Sequence, residues 1–157
     1  MWNRKHIALV GAASAAMAVP TSGLAAARSS AAPKTIRTTQ RIMTLYSTSH
    51  NQTNVGTSDG TIAGTRVHGA LRAIATSSTP SAFTATGTLF YRAGTLRYKL
   101  HGKITNKPDG SLTVSGSGTF TGGSNRFTAA RGGFTFSGAK PANSYETWKL
   151  SGTVSHS

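Results

Sequence analysis

Between Thr95 and Thr105 the chain alternates almost one for one. Leu96, Tyr98, Leu100 and Ile104 take one parity, and Arg97, Lys99, His101 and Lys103 take the other. A period of two puts the two sets on opposite faces of a strand, whereas a helix would mix them. The segment therefore belongs in a sheet with one dry face and one wet face. The same rhythm returns at Leu112, Val114 and Phe120, at Phe134 and Phe136, and at Trp148, Leu150 and Val154.

Turn signals separate these runs at short intervals. Strands are expected near Thr38–Tyr46, Thr61–Ala75, Ala82–Arg92 and Thr95–Thr105, with turns at Ser77–Pro80, Ala93-Gly94 and Asn106–Gly110. In the last of these turns Pro108 fixes φ and Gly110 accepts a positive φ. The stretch Ser47–Gly60, rich in Ser, Asn and Gly, reads as a long loop. The count is seven strands, or eight if the Thr61–Ala75 run is split by a bulge at Gly69. Short sequential connections imply an up-and-down meander. Eight such strands can close and remove the exposed edges. The expected fold is all-β, a small antiparallel, eight-stranded, up-and-down barrel. Its interior is expected to hold Leu96, Tyr98, Leu100, Ile104, Val114, Phe120, Phe134, Phe136, Trp148 and Leu150. Gly64, Gly69, Gly87, Gly102, Gly116, Gly118 and Gly152 fall on or beside strands, where bulges and tight bends would use them.

The N-terminus reads differently. Met1–His6 is a cationic head, Ile7–Ala18 an apolar run, and Pro20 and Gly23 break any helix before Ala25-Ala26-Ala27. That order is the pattern of a secretory signal peptide cleaved before Arg28. The apolar run is too short to span a bilayer, which takes about 20 residues. The expected organisation is a signal peptide at 1–27, a flexible lead-in at 28–36 and the barrel domain at 37–157. The expected location is outside the cytoplasm. The chain has no cysteine, which excludes disulfides, a lipid-anchored cysteine, a thiol nucleophile and any cysteine-ligated metal.

Lys and Arg number 17 against three acidic residues, for a net charge of +14. Such a balance favours anionic partners, among them the acidic polymers of a cell envelope. Arg66 and Arg72 share a parity on one strand, and Arg97, Lys99 and Lys103 share one on another. These five are the candidate polyanion-binding residues. No catalytic, cofactor-binding or metal-binding set emerges. The Gly118–Ser124 run lacks the lysine of a phosphate-binding loop and no helix follows it. The mature histidines (His50, His68, His101 and His156) form no close pair. His68 and His101 could meet across strands, but zinc needs three or four ligands. Hydroxyls are too abundant to mark a nucleophile without an oriented histidine. The sequon Asn51-Gln52-Thr53 is assigned no role.

The block Gly116–Gly138, which reads GSGTFTGGSNRFTAARGGFTFSG, resembles the late strand–turn–strand element of allene oxide cyclase-like and dirigent-like β-barrels. Gly122, Gly123, Phe127, Ala130 and Gly132 match that element. Asn125 and Ala129 stand where glycine is usual, and Asn tolerates the left-handed conformation. The resemblance implies an eight-stranded barrel with a central cavity, often oligomeric, that guides cyclisation or coupling of small hydrophobic molecules with acidic and other polar cavity groups. None of those groups carries over: the three acids fall in expected turns or near the start of the last strand. Two functions follow. The first is a non-enzymatic exported barrel, without a cofactor, that binds a small apolar ligand inside or an anionic envelope polymer on its basic face. The alternative is a cyclase- or dirigent-like barrel that steers conversion of a small hydrophobic substrate. An apolar cavity would favour the first, and convergent polar groups the second.

Overall fold

The computed structural model describes residues 32–156. The expected signal peptide and its cleavage site lie outside them. Eight antiparallel strands follow one another around a closed barrel: β1 (Lys34–Ser47), β2 (Asn51–Ile62), β3 (Thr65–Thr79), β4 (Ala82–Tyr91), β5 (Gly94–Asn106), β6 (Leu112–Gly123), β7 (Gly132–Lys140) and β8 (Glu146–Val154). β8 pairs back onto β1, from Lys34 against Val154 to Ile42 against Glu146. The ring leaves no free edge, which suits a sheet with no helix to cover it.

The eight-stranded barrel is as expected, but two of its strands were not placed correctly by the pattern. The segment read as a loop, Ser47–Gly60, contains most of β2. The Thr61–Ala75 run is not split at Gly69. Its first two residues finish β2, Ala63 and Gly64 turn the chain with positive φ, and β3 then runs unbroken past Gly69. β1 begins at Lys34, three residues inside the expected lead-in.

The strand glycines are mostly not bulges. They are the space into which the interior rings fit. A Cβ on Gly87 would lie 2.4 Å from the Tyr98 ring and hydroxyl, one on Gly118 2.4 Å from Phe134, and one on Gly138 2.5 Å from Trp148. A Cβ on Gly102 would meet both Phe83 and Phe136 within 2.8 Å. Large rings on one strand thus sit against bare backbone on the next, which lets a narrow barrel fill to native density.

The two ends differ. At one end Ile36, Leu89, Leu96 and Val154 are fully buried. The β6–β7 connection folds over them through a short 3-10 turn, Asn125–Phe127, and inserts Phe127 beside Tyr91 and His156. At the other end Ile42, Phe83, Leu112 and Trp148 surround an opening.

Candidate functional site: the open mouth of the barrel

The expected interior residues are buried as a set, with Ile104 half-buried at the rim. The parity argument placed them there, because each strand needs one dry face. At the open end they leave a cavity of about 130 Å³. Its walls are apolar: Ile42, Phe83, Leu100, Val114 and Trp148 among them. Its rim is not, since Gln52, Asn54, Lys140 and Glu146 also line it. Two ionisable groups, Lys140 and Glu146, therefore reach the mouth of the lumen. The cause is local. Glu146 is the first residue of β8 and keeps the inward parity of Trp148 and Leu150, and Lys140 ends β7 on the inward parity of Phe134 and Phe136.

Burial raises the Glu146 carboxyl above its ordinary pKa. The Trp148 indole N–H and then the Lys140 ammonium pull the other way without reversing it. Trp148 lies close enough to favour the carboxylate, yet its Nε1 closes no hydrogen bond of proper geometry. Its ring stacks on Phe136 at 4.6 Å and 10° and tilts against Phe83 at 6.0 Å. The cross-strand partner of Trp148 on β1 is Gln40, only 1% exposed, whose Nε2 also has no acceptor. At the rim, Gln52 donates to the Asn54 side-chain oxygen at 2.8 Å and to the Thr44 hydroxyl. Burial also raises the Tyr98 phenol well above its ordinary range.

Deeper in, Tyr91 and Ser58 share a buried hydrogen bond of 2.9 Å. Desolvation pushes the Tyr91 phenol up to about 12, against the opposing pull of that bond. This pair explains why β2 could be a strand without an apolar stripe. Its inward positions are Gln52 and Asn54 at the mouth, then Gly56, Ser58, Gly60 and the single apolar Ile62; Ser58 is satisfied by Tyr91, and Cβ atoms on Gly56 and Gly60 would strike the Arg41 and Arg37 carbonyls.

The five candidate cations do not form one patch. Arg72, Thr88 and Arg97 lie in one row across β3, β4 and β5, and Ile74, Thr86 and Lys99 in the next. Arg72, Arg97 and Lys99 border shallow troughs on the outer face, with Ile74 and Phe90 exposed between them. Lys103 lies farther along β5, beside Ser115 of β6. Arg66 departs from the group. Its row runs the other way, through Thr61 of β2 to Arg37 of β1. His68 and His101 do not meet, because His68 binds Asp59 on β2 while His101 bonds Ser117 on β6 at 3.2 Å. Among the described residues no three metal-ligating side chains cluster. Asp109, the third acid, caps its turn by accepting from the Ser111 backbone N–H and hydroxyl. That bonding holds its carboxyl below the ordinary value.

The turn motif is structural. Gly122 and Gly132 take positive φ, Asn125 takes φ 49° in the left-handed region that Asn tolerates, and Phe127 and Ala130 are the buried plug of the closed end. Comparison with family models, curated proteins and solved structures found no match to the chain.

Proposed function

We propose that this protein is an exported, non-enzymatic barrel that binds a small, largely apolar molecule in its open mouth. The observation that carries this is the cavity itself. At about 130 Å³ it has room for a group the size of one ring, since apolar protein cavities near 150 Å³ bind benzene. Its aromatic wall supplies the contact area, and a few polar groups at the rim supply orientation. The lining carries no serine, threonine or histidine that could form a nucleophile–base pair. Export rests on the N-terminal pattern. An eight-stranded barrel with a cavity is also what the resemblance to allene oxide cyclase-like proteins implies, and that agreement supports the reading. The test is mass spectrometry of whatever co-purifies with the protein from its native host, followed by displacement with small aromatic probes. A mouth that retains nothing and gives no thermal shift with such probes refutes binding.

The Glu146 carboxyl on the cavity wall keeps steered conversion as the alternative. A product whose formation is lost in Glu146→Gln would replace the binding reading with that one. A second activity has its own support. The outward positions of β3 to β6 carry Arg72, Arg97, Lys99 and Lys103 and no acid. Arg72 and Arg97 stand two strand spacings apart, about 10 Å, so their fields overlap at physiological salt. This face would hold an anionic polymer by summed charge rather than by specific contacts.

A further inference from the structure

We infer that the closed end of the barrel carries a second site, for a small soluble organic anion: an apolar body of about one ring bearing a phosphate or carboxylate group. A cavity of about 290 Å³ opens there, and it shares no residue with the mouth. Three arginines from three elements line it: Arg66 near the start of β3, Arg92 in the β4–β5 turn and Arg126 in the 3-10 turn. The Arg126 backbone N–H donates to the Ala93 carbonyl at 3.3 Å, which holds the 3-10 turn against the turn that carries Arg92. Among the described residues no acid lines the cavity, and the only ion pair is His68 with Asp59. No carboxylate therefore neutralises the three guanidiniums. Like charges gathered round one cavity repel, and an anion between them relieves the repulsion. The guanidinium fork suits phosphate and carboxylate oxygens, which it can bind bidentately. The floor has a different chemistry. Ile62, Tyr91 and Phe127 are buried, whereas the arginines are exposed. The Phe127 ring tilts against Tyr91 at 6.4 Å and meets His156 edge to face at 5.4 Å. A ring needs about 150 Å³, which leaves room for the anionic group. The layering also sets the source of the ligand. The apolar body enters first and the anion stays at the rim. A bilayer presents its anionic groups first and keeps its apolar part behind them, so a lipid surface does not fit.

Phenyl phosphate, inorganic phosphate and benzyl alcohol separate the parts, because the first joins a ring to an anion and the others have one each. In calorimetry on purified protein at fixed salt, phenyl phosphate should bind about tenfold more tightly than either of the others. Its ring protons should give nuclear Overhauser effects to the Phe127 ring. Arg92→Gln with Arg126→Gln should weaken phenyl phosphate by about tenfold or more, the low end for losing hydrogen bonds to a charged group. Arg72→Gln with Lys99→Gln removes the same charge from the outer face and should leave binding within about twofold, as should Trp148→Phe in the mouth. All four substituted cations are exposed, so the urea midpoints of both double variants should match the wild type. If the two double variants weaken binding alike, net charge is responsible and the site inference is wrong. If inorganic phosphate or benzyl alcohol binds as tightly as phenyl phosphate, or if phenyl phosphate does not bind at millimolar concentration, it is wrong as well. Overhauser effects to Trp148 in place of Phe127 would put the anion in the mouth and overturn the closed-end site. Displacement of phenyl phosphate by phosphatidylglycerol vesicles, but not by phosphatidylcholine vesicles, would overturn the choice of a soluble ligand.

Discussion

Gly102→Ala adds one methyl group at the point where two rings converge. Its Cβ would lie 2.7 Å and 2.8 Å from two carbons of Phe83 and 2.8 Å from one carbon of Phe136. Carbon atoms in contact normally sit about 3.5–4.0 Å apart, so both rings must retreat by nearly 1 Å. They have little room to do so. Phe83 and Phe136 pack edge to face at 6.2 Å, and each also packs on Trp148. Overpacking of this kind costs about 1–3 kcal/mol. With a urea slope of about 1–3 kcal/mol/M, the midpoint should fall by roughly 1 M with the slope unchanged. The strain should also reach the cavity, since Phe83 and Trp148 line it, and shift the Trp148 indole resonance. Adding Phe83→Leu to Gly102→Ala should recover part of the loss, because it returns the space that the methyl took. That non-additivity is the signature of contact. A midpoint lowered by less than about 0.2 M would refute the argument, since it would mean that the rings have slack and the glycine is not there to make room.

Tyr91→Phe removes the phenol that satisfies Ser58 and should cost about 1–2 kcal/mol in urea unfolding, while the double variant with Ser58→Ala should recover most of it. The Tyr91 phenol, raised to about 12, should still be largely un-ionised in ultraviolet titration at pH 11. Glu146 has a raised folded-state pKa, so it holds its proton more tightly folded than unfolded, and stability falls as pH rises from the ordinary carboxylate value through the raised one. Glu146→Gln should therefore gain on the wild type at pH 7 and lose that advantage near pH 4. Equal differences at the two pH values would refute the desolvation argument. Reversing Arg72, Arg97 and Lys99 to glutamate should release the protein from a heparin column at lower salt without moving its thermal midpoint, whereas Arg66→Glu should matter less because it sits outside that group.

How much of this was legible in the sequence depended on what each strand uses to hold itself in place. β5 could be read almost residue by residue because its inward face is carried by large apolar side chains, and the same holds for β4, β7 and β8. β2 could not. Its inward face is two amides, two glycines, a serine and a single isoleucine, so the burial that normally writes a period-two pattern is nearly absent. What fixes it is close approach to the β1 carbonyls and one hydrogen bond to a residue 33 positions away. The strand count of eight was therefore expected for a partly mistaken reason. The glycines at 87, 102, 116 and 118 were visible, but their use was not, because a ring and the glycine beneath it lie on different strands and meet only once the register is known. Arg66 shared a parity with Arg72, and parity fixes the face of a strand but not the direction in which neighbouring strands extend the patch.

The mouth shows the same limit from the functional side. Glu146 was visible as an acid near the start of the last strand, and its inward parity follows from Trp148 and Leu150. What the sequence did not show is that Ile42, Trp148, Lys140 and Glu146, from three strands, converge on one opening. That convergence depends on barrel closure, which brings β8 against β1 so that Gln40 faces Trp148 and Ile42 faces Glu146 across more than a hundred residues of chain. Closure also decides which end is open. The Phe127 turn plugs one end, so the polar groups at the other become the only charged or amide side chains that a molecule in the described cavity meets. The basic outer face and the lumen are therefore independent properties. The first is spread over outward positions on several strands, where substitution changes the field outside. The second depends on inward positions at one end, where Phe83→Leu or Trp148→Phe changes what can be held while leaving the outer charge untouched.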